Sequence, residues 1–492
     1  MQEALLKVVA TVNSYLTDYV LIFLLIGVGL YFTIRTKFVQ VRCFGEGMKN
    51  VFGKLSLKGG AQKSGLSSFQ ALATAIAAQV GTGNIVGACG AILIGGPGAI
   101  FWMWVIAFLG MATIYAEATL AQKTRKVNED GTIEGGPVYY IKAAFNNKFG
   151  KFLAVFFAVA VMLALGFMGT MVQSNSIAGT MGTAVGLGEN LYWIIGIVVA
   201  LLAGVVFLGG LNRLAAVTEK MVPIMACLYI LGSLVVIFAR IQYVPETLGM
   251  IFKYAFNANA LIGGGIGYAL KAAISQGAKR GLFSNEAGMG STPHAHAQAN
   301  VKNAHEQGTT AMIGVFIDTF VVLTMTALVV ISTLYAGDGV LGNTLSYSAT
   351  KGGLLEAVAA AFPKANLAQM AFGKVFGETF GNIFVAVCLF FFAFSTILSW
   401  NFFGKINFQY LFGKKYTVVY TAIAVVFVFL GSIFSNDLVW ELTDFFNYLM
   451  VLPNVIALVA LGSMVVAAMK EGKEAKAADA AANAAFAEKD AE

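Results

Sequence analysis

Residues 77–91 read AAQVGTGNIVGACGA, with Gly81, Thr82, Gly83 and Asn84 set together inside a long apolar stretch. Glycine weakens a helix interior, and its missing Cβ lets a ligand approach the backbone. Where a helix opens at such a point, the freed N–H groups and the new helix N-terminus can hold an anion such as a carboxylate. The freed carbonyls can coordinate a small cation. A second long apolar stretch is interrupted by SQGAKRGLFSNEAGMGS at 275–291. The competing reading of these glycines is close helix packing. It accounts well for Gly87 and Gly90, but not for Gln79, Thr82 and Asn84 placed beside Gly81 and Gly83. A nucleotide reading fails, because GTGNIVG lacks the dinucleotide spacing and no Walker lysine follows it.

The elements that carry these residues are membrane-length helices. The chain has 492 residues, is 58% hydrophobic and 12% charged, and has a mean hydropathy of +0.77. Soluble domains carry about 25% charged residues. Runs of ~20 apolar residues suit spanning helices. Eleven are expected, near 15–35, 66–94, 98–122, 150–180, 191–210, 215–239, 259–299, 309–335, 373–403, 416–434 and 438–468. The first run is followed by no small-residue cleavage site, so it reads as a retained span.

Loops after the first, third and ninth spans are rich in Lys and Arg, which places them in the cytoplasm. The N-terminus is then outside and the C-terminus inside, in a multi-pass protein of the cell (inner) membrane. The net charge of +7 is explained by those loops and calls for no nucleic-acid partner. Cys43, Cys89, Cys227 and Cys388 are scattered and suggest neither a disulfide framework nor a metal knuckle. All three histidines fall between 294 and 305. His294 and His296 are expected to end an inner half-helix rather than bind metal. No nucleophile–His–acid set or zinc motif is present, so the chain does not read as an enzyme. Residues 354–362 have a helical periodicity that suits a cap over the outer vestibule or a surface connector. The Ala/Lys/Glu-rich tail from 470 onward reads as solvated and weakly helical.

A lipid-exposed break leaves backbone groups unpaired, at several kcal/mol each, so breaks survive only where they line a cavity or are buried in protein. Two broken helices at matching places in two halves point to a transporter with its site at the midplane. With the first span set aside, ten remain, and each group of five opens on a broken helix. Five is odd, so the second group is inverted. The expected fold is an all-α polytopic membrane protein of about eleven helices, a 5+5 inverted repeat with one extra N-terminal helix. Residues 1–65 hold the extra span and basic loop, 66–240 the first repeat, 241–468 the second, and 469–492 the tail.

GTGNIVG, EGGPVYY at 134–140 and GAKRGLFSNEAGMGS at 277–291 resemble the signatures of the alanine or glycine:cation symporter family, the sodium:alanine symporters. VGTGN at 80–84 also resembles the broken first helix of the LeuT-type fold. The resemblance implies sodium-coupled uptake of small neutral amino acids by alternating access, with glutamine or proton-coupled variants among relatives. It implies sodium as coupling ion and no cofactor. The N–H groups of Thr82 and Gly83, beside Gly81, would hold the substrate carboxylate, and Gln79 the amino group or side chain. Ser275, Gln276 and Gly277 would mark the unwinding point of the second broken helix and offer carbonyls to the ammonium. Phe283 would wall the pocket. Ser395 and Thr396 match the hydroxyl pair of a sodium site, completed by the carbonyls of Ala77, Val80 and Phe392. The alternative for both hydroxyls is bonding back to their own helix. Trp400, four residues after Thr396 and on its face, would shape the apolar side. Gln173 is expected to face the pocket, with inter-helix hydrogen bonding as the alternative. Nothing in the sequence sets an oligomeric state.

Ionisable groups at membrane depth are costly and usually functional. Asp318 is expected to be a second cation ligand with Asn84, a proton acceptor, or a partner for Arg280. Arg280 and Glu286 are expected to form an internal ion pair that fixes the second break. Glu117, near the inner end of its span, reads as a loop salt bridge. Rival functions are a channel or receptor, which would show no net accumulation of substrate.

Overall fold

Apolar runs with no water-facing stripe must bury or face lipid on all sides, and the chain forms long helices wherever they occur. The computed structural model describes residues 2–53, 65–256, 266–342 and 364–489. The expected cap helix at 354–362 lies outside them. Among the described residues, nine helices are long and apolar enough to cross a membrane, and ten with one bent pair counted as a span.

In chain order, α1 is Glu3–Arg35. The short α2 (Phe44–Phe52) follows on the basic loop. The bent pair is α3 (Ser68–Gln79) and α4 (Gly83–Gly95), which meet at 45°. Then come α5 (Gly98–Thr124), α6 (Pro137–Ala144) and α7 (Lys148–Val185). They are followed by α8 (Tyr192–Leu208), α9 (Gly210–Ala239) and α10 (Val244–Ala255). The second broken unit comprises α11 (Ile266–Asn285) and α12 (Pro293–His296). The remainder is α13 (Ala304–Leu334), α14 (Lys364–Phe376), α15 (Glu378–Phe412), α16 (Thr417–Gly431), α17 (Asn436–Ala460) and α18 (Gly462–Lys489). The nine spans, the bent pair and α11, which carries Lys271, Lys279 and Arg280, match the eleven expected stretches.

Local chemistry explains where the first break begins. Ser67 and Gln70 form a reciprocal capping box that starts α3, satisfying two orphan donors. The helix then runs on small residues to Gln79 and stops at Val80, whose ψ of 84° leaves the helical region. Two parallel residues on each side, Leu66–Ser67 with Ala299–Asn300, tie the entry of α3 to the segment after α12. Thus the two broken units are joined at one end. Four stretches among the described residues adopt the wider π geometry: Thr17–Leu21, Gly83–Gly87, Met162–Gly169 and Phe316–Leu323. The last contains Asp318, in line with the tendency of π turns to mark functional sites.

The second break lies elsewhere than expected. Ser275, Gln276 and Gly277 are inside the continuous helix α11, and the chain leaves the helix only after Asn285. Glu286 (φ 58°), Gly288 (φ 94°) and Gly290 (φ 76°) carry the reversal. Left-handed backbone is routine only for glycine. Here two glycines within three residues allow it, which is the physical reason the break sits at EAGMG and not at SQG. The tail is helical through Lys489, with residues 474–478 exposed, and at its start Gly472 packs on His305, where a Cβ would come 2.3 Å from that side chain.

Candidate functional site

Four polar centres surround the two breaks. The first joins α3 to α15. Thr396 Oγ1 donates to the carbonyls of Ala77 (2.9 Å) and Phe392 (3.0 Å), and Ser395 Oγ to Phe392 (2.9 Å) and, at 3.4 Å, to Ala77. Both hydroxyls therefore bond back to their own helix, the alternative reading, and each also reaches the end of α3. Ala77, Phe392, Ser395 and Thr396 are all buried. Their four oxygens converge from two helices, which is the hard-ligand chemistry a small monovalent cation needs. Val80 is at the break, but its carbonyl bonds to neither hydroxyl among the described residues.

The second centre is the opened turn itself. The Thr82 N–H (3.1 Å) and Oγ1 (2.6 Å) both donate to Oε1 of Gln173 on α7. Gln173 thus turns toward the break through inter-helix hydrogen bonds, the alternative named for it, whereas Asn175 points away and donates to the carbonyls of Gly431 and Phe434. The amide oxygen of Gln173 rests on the N–H expected to take a carboxylate. Its Nε2, and Oε1 of Gln79, are buried and make no hydrogen bond among the described residues. One is a donor and the other an acceptor, which are the complements of a carboxylate and an ammonium. Gln79 is fixed by donating to the Asn285 carbonyl at 2.8 Å, so it links the first break to the second. Gly81 admits no side chain: a Cβ would lie 2.3 Å from Thr396 Oγ1 and 3.2 Å from Gln173 Oε1.

The third centre is Asp318, fully buried. It accepts from Asn84 Nδ2 (2.6 Å), from Ser284 Oγ (2.9 and 3.1 Å) and from Thr319 Oγ1 (2.7 Å). Asn84 in turn accepts from the Gly81 N–H at 3.0 Å, so the first break, α11 and α13 meet on one carboxylate. Among the described residues no Lys or Arg pairs with Asp318, which removes its expected pairing with Arg280.

The fourth centre fixes the second break. Glu286 accepts from Ser291 Oγ and from Trp400 Nε1, the latter at 2.5 Å. It does not pair with Arg280. The left-handed turn at Glu286 carries its carboxylate toward α15, while Arg280, six residues earlier on α11, faces α17. There Arg280 meets Asp444 at 3.2 Å, and Lys279 meets Asp444 at 2.8 Å and Glu441 at 3.1 Å. Glu117 is no loop salt bridge either. It is buried and accepts from the N–H groups of Gly288 (3.3 Å) and Gly290 (3.0 Å) and from Asn454 Nδ2 (2.6 Å). A carboxylate is what two unwound glycine N–H groups need in a place without water. Sequence reading missed the role of Glu117. Its one signal was a carboxylate in an apolar helix, and its partners lie 171 and 173 residues away.

Aromatic rings separate the ion cluster from the breaks. The Arg280 guanidinium lies 4.4 Å from the centre of Trp440, whose ring is tilted against Phe283 at 4.7 Å, and Phe283 meets Trp400 edge-on at 5.6 Å. Phe283 also touches the Gly83 backbone, where a Cβ would come 3.1 Å from its ring. Phe283 therefore lies against the opened turn, with Trp400 behind it. Ser275, Gln276 and Gly277 do not reach it. Ser275 donates to Asp18 at 2.9 Å, Gln276 packs against Gly95, and Gly277 packs on Trp102. At 1.5 Å per helical residue, Ser275 is about 16 Å along the axis from Glu286.

The ion cluster predicts its own test. Asp444→Asn leaves two buried cations with less than their full counter-charge. Breaking a buried pair by removing one partner costs on the order of 3–5 kcal/mol. The variant is expected to show that loss in denaturation midpoints measured in detergent, and an unchanged midpoint would contradict the assignment. On the opposite side of the breaks, a cavity of about 550 Å³ opens beside Glu134, Tyr139, His294, Asn401, Lys405 and Lys414. His294 is held there between Ser291 O (2.7 Å) and Asn407 (2.8 Å), at the end of the unwound segment.

The profile of the sodium:alanine symporter family matches residues 2–486. The sodium/alanine symporter AgcS of Methanococcus maripaludis is 38% identical over 470 residues, covering 95% of this chain and 97% of its own. The putative sodium/proton-dependent alanine carrier protein YrbD of Bacillus subtilis is 38% identical over 473 residues, covering 95% and 92%. Among solved structures, MhsT in complex with L-phenylalanine superposes with a TM-score of 0.55 at 15% identity, over 83% of this chain and 89% of that one. That likeness establishes the LeuT-type fold.

Proposed function

The chain belongs to the sodium:alanine symporter family, and on that premise we propose that it couples sodium entry to uptake of alanine and glycine by alternating access. It is an integral membrane transporter and not an enzyme. The observation that carries the finer reading is the convergence of Ala77 O, Phe392 O, Ser395 Oγ and Thr396 Oγ1 beside the opened turn at Gly81–Thr82. In this reading sodium sits between α3 and α15, held by the two carbonyls and by the lone pairs of the two hydroxyls, which keep their protons and turn them away from the ion. The two helices are then held at the geometry in which the opened turn accepts substrate. The substrate carboxylate takes the Thr82 and Gly83 N–H groups, displacing the amide oxygen of Gln173, whose Nε2 then donates to it. The ammonium is taken by acceptors of the second break and Gln79 Oε1. Phe283 and Trp400 close on the side chain, which favours small residues.

Asp318 is the second cation site, for sodium or a proton, with Asn84 and Ser284 holding it in place. Residues 66–240 and 241–468 act as the two inverted repeats. The Lys/Arg-rich loops lie in the cytoplasm of a cell-membrane protein, with the N-terminus outside. The 550 Å³ cavity then opens inward, and the Lys279/Arg280–Asp444 cluster seals the outer side.

The energetics suffice: one sodium moving through ~100 mV gains about 2.3 kcal/mol, enough for roughly 45-fold accumulation. Labelled alanine uptake into proteoliposomes tests the reading. An inward sodium gradient is expected to drive accumulation above equilibrium, with glycine competing and potassium failing to substitute. Equal uptake in sodium and potassium would remove the sodium coupling. Glutamine outcompeting alanine would reassign the substrate.

A further inference from the structure

Away from the breaks, on the side that carries the basic loop, three dissimilar ligand atoms converge. Cys43 Sγ, a carboxylate oxygen of Glu46 and a ring nitrogen of His305 all lie within 4.8 Å of one another. Cys43 and His305 are buried, at 3% and 1% exposure. His305 Nε2 has no hydrogen-bond partner among the described residues, and it faces Glu46 Oε1 at 3.6 Å. The other ring nitrogen, Nδ1, is engaged with the Tyr115 hydroxyl at 2.7 Å. That contact fixes the ring and, with Nδ1 protonated, directs the Nε2 lone pair at Cys43 and Glu46. The second oxygen of Glu46 meets Lys476 at 3.1 Å, so the carboxylate is oriented as well.

This is how protein metal sites are assembled. A ligating histidine passes its other nitrogen to a fixed partner, and ligating carboxylates are themselves held. A thiolate, an imidazole and a carboxylate form a mixed set suited to a borderline divalent ion, at about 2.3 Å to sulfur and 2.0–2.2 Å to nitrogen and oxygen. Two such ligands on a tetrahedral ion stand about 3.3–3.4 Å apart, close to the 3.6 Å between His305 and Glu46. The hard, all-oxygen preference of calcium or magnesium does not fit a thiol.

We propose that Cys43, Glu46 and His305 bind one zinc-class divalent transition metal, with water in the fourth position. The ion ties α2, the head of α13 and, through Lys476, the tail helix α18 into one body. Those elements already touch: Gly47 of α2 packs on Ile313 and Thr309, and Asn50 donates to Thr309 at 3.0 Å. The site is separate from the proposed sodium and substrate centres, so it stands or falls independently of them.

Cobalt(II) titration of the purified, chelator-stripped full-length protein in detergent tests the proposal. Wild type is expected to bind one equivalent with the intense thiolate-to-cobalt absorption and the visible bands of a four-coordinate ion. Zinc is expected to displace it. Cys43→Ser is expected to lose the thiolate band, and His305→Gln to lose stoichiometric binding. Cys227→Ser, at the exposed cysteine, is expected to change neither. Monodisperse elution from size-exclusion chromatography in detergent identifies folded variants. Wild-type protein that shows no thiolate band at one equivalent overturns the proposal without any variant. So does a band that survives in Cys43→Ser. In either case the cluster is a His305–Glu46 charge contact only.

Discussion

Thr396→Ala is expected to raise the sodium concentration for half-maximal alanine uptake by roughly 10- to 100-fold, with Thr396→Ser close to wild type. The hydroxyl is the atom that reaches from α15 to the Ala77 carbonyl at 2.9 Å. Loss of one polar contact to a charged partner costs about 1.5–3 kcal/mol, and each 1.4 kcal/mol is about tenfold in affinity. Alanine affinity at saturating sodium should change far less, because the opened turn at Gly81–Thr82 is intact. Gly81→Ala should show a similar sodium defect by a different route, since its Cβ would stand 2.3 Å from the same Oγ1. The measurement is the sodium dependence of initial uptake rates in proteoliposomes. An unchanged sodium dependence in Thr396→Ala would remove this centre from the coupling mechanism.

Asp318→Asn is expected to lower steady-state alanine accumulation at least about tenfold, while alanine-for-alanine exchange persists. The carboxylate is fully buried and its side-chain partners Asn84, Ser284 and Thr319 all donate to it. A buried ionised carboxylate needs a compensating positive charge, and among the described residues none is paired with it. A transported cation would supply that charge at one stage of the cycle. The amide keeps the shape and removes the charge, so folding and substrate contact should survive where coupling does not. A tenfold loss corresponds to about 1.4 kcal/mol of driving force, a modest share of what one further ion provides. If wild-type accumulation depends on external pH and Asp318→Asn abolishes that dependence, the ion is a proton. If only the sodium dependence changes, it is sodium. Full accumulation in the variant would make Asp318 a structural residue.

These two predictions rest on features of unequal legibility. The helical spans follow from apolar length alone, and the break at Gly81–Thr82 from glycines beside polar residues in a helix that cannot expose its backbone. The position of Gln173 and the hydroxyl pair followed from helical phase and family pattern. The second break was misplaced because the single glycine of SQG was given the role that the glycine pair of EAGMG fills. A long-range partner, which spacing could not show, adds to that pair: Glu117 accepts from the N–H groups of Gly288 and Gly290, and Asn454 completes it. The Arg280–Glu286 pair failed for a similar reason. Opposite charges six residues apart suggested proximity, but a positive-φ turn sent one toward Trp400, while Asp444 on α17 took the other. The Cys43–Glu46–His305 cluster could not be seen in spacing at all, since its histidine is more than 250 residues from the other two. Local chemistry showed where the chain must open. Partners brought in by the fold determined what each opened group touches.

The central claim is reciprocal coupling of sodium to a small neutral amino acid. Its most direct test is labelled sodium flux driven by alanine. Proteoliposomes with equal sodium on both sides and no membrane potential receive an inward alanine gradient. Transient sodium accumulation above equilibrium is expected inside, in fixed proportion to the alanine that enters, and is lost in Thr396→Ala at low sodium. Alanine that enters down its gradient without moving sodium would contradict it.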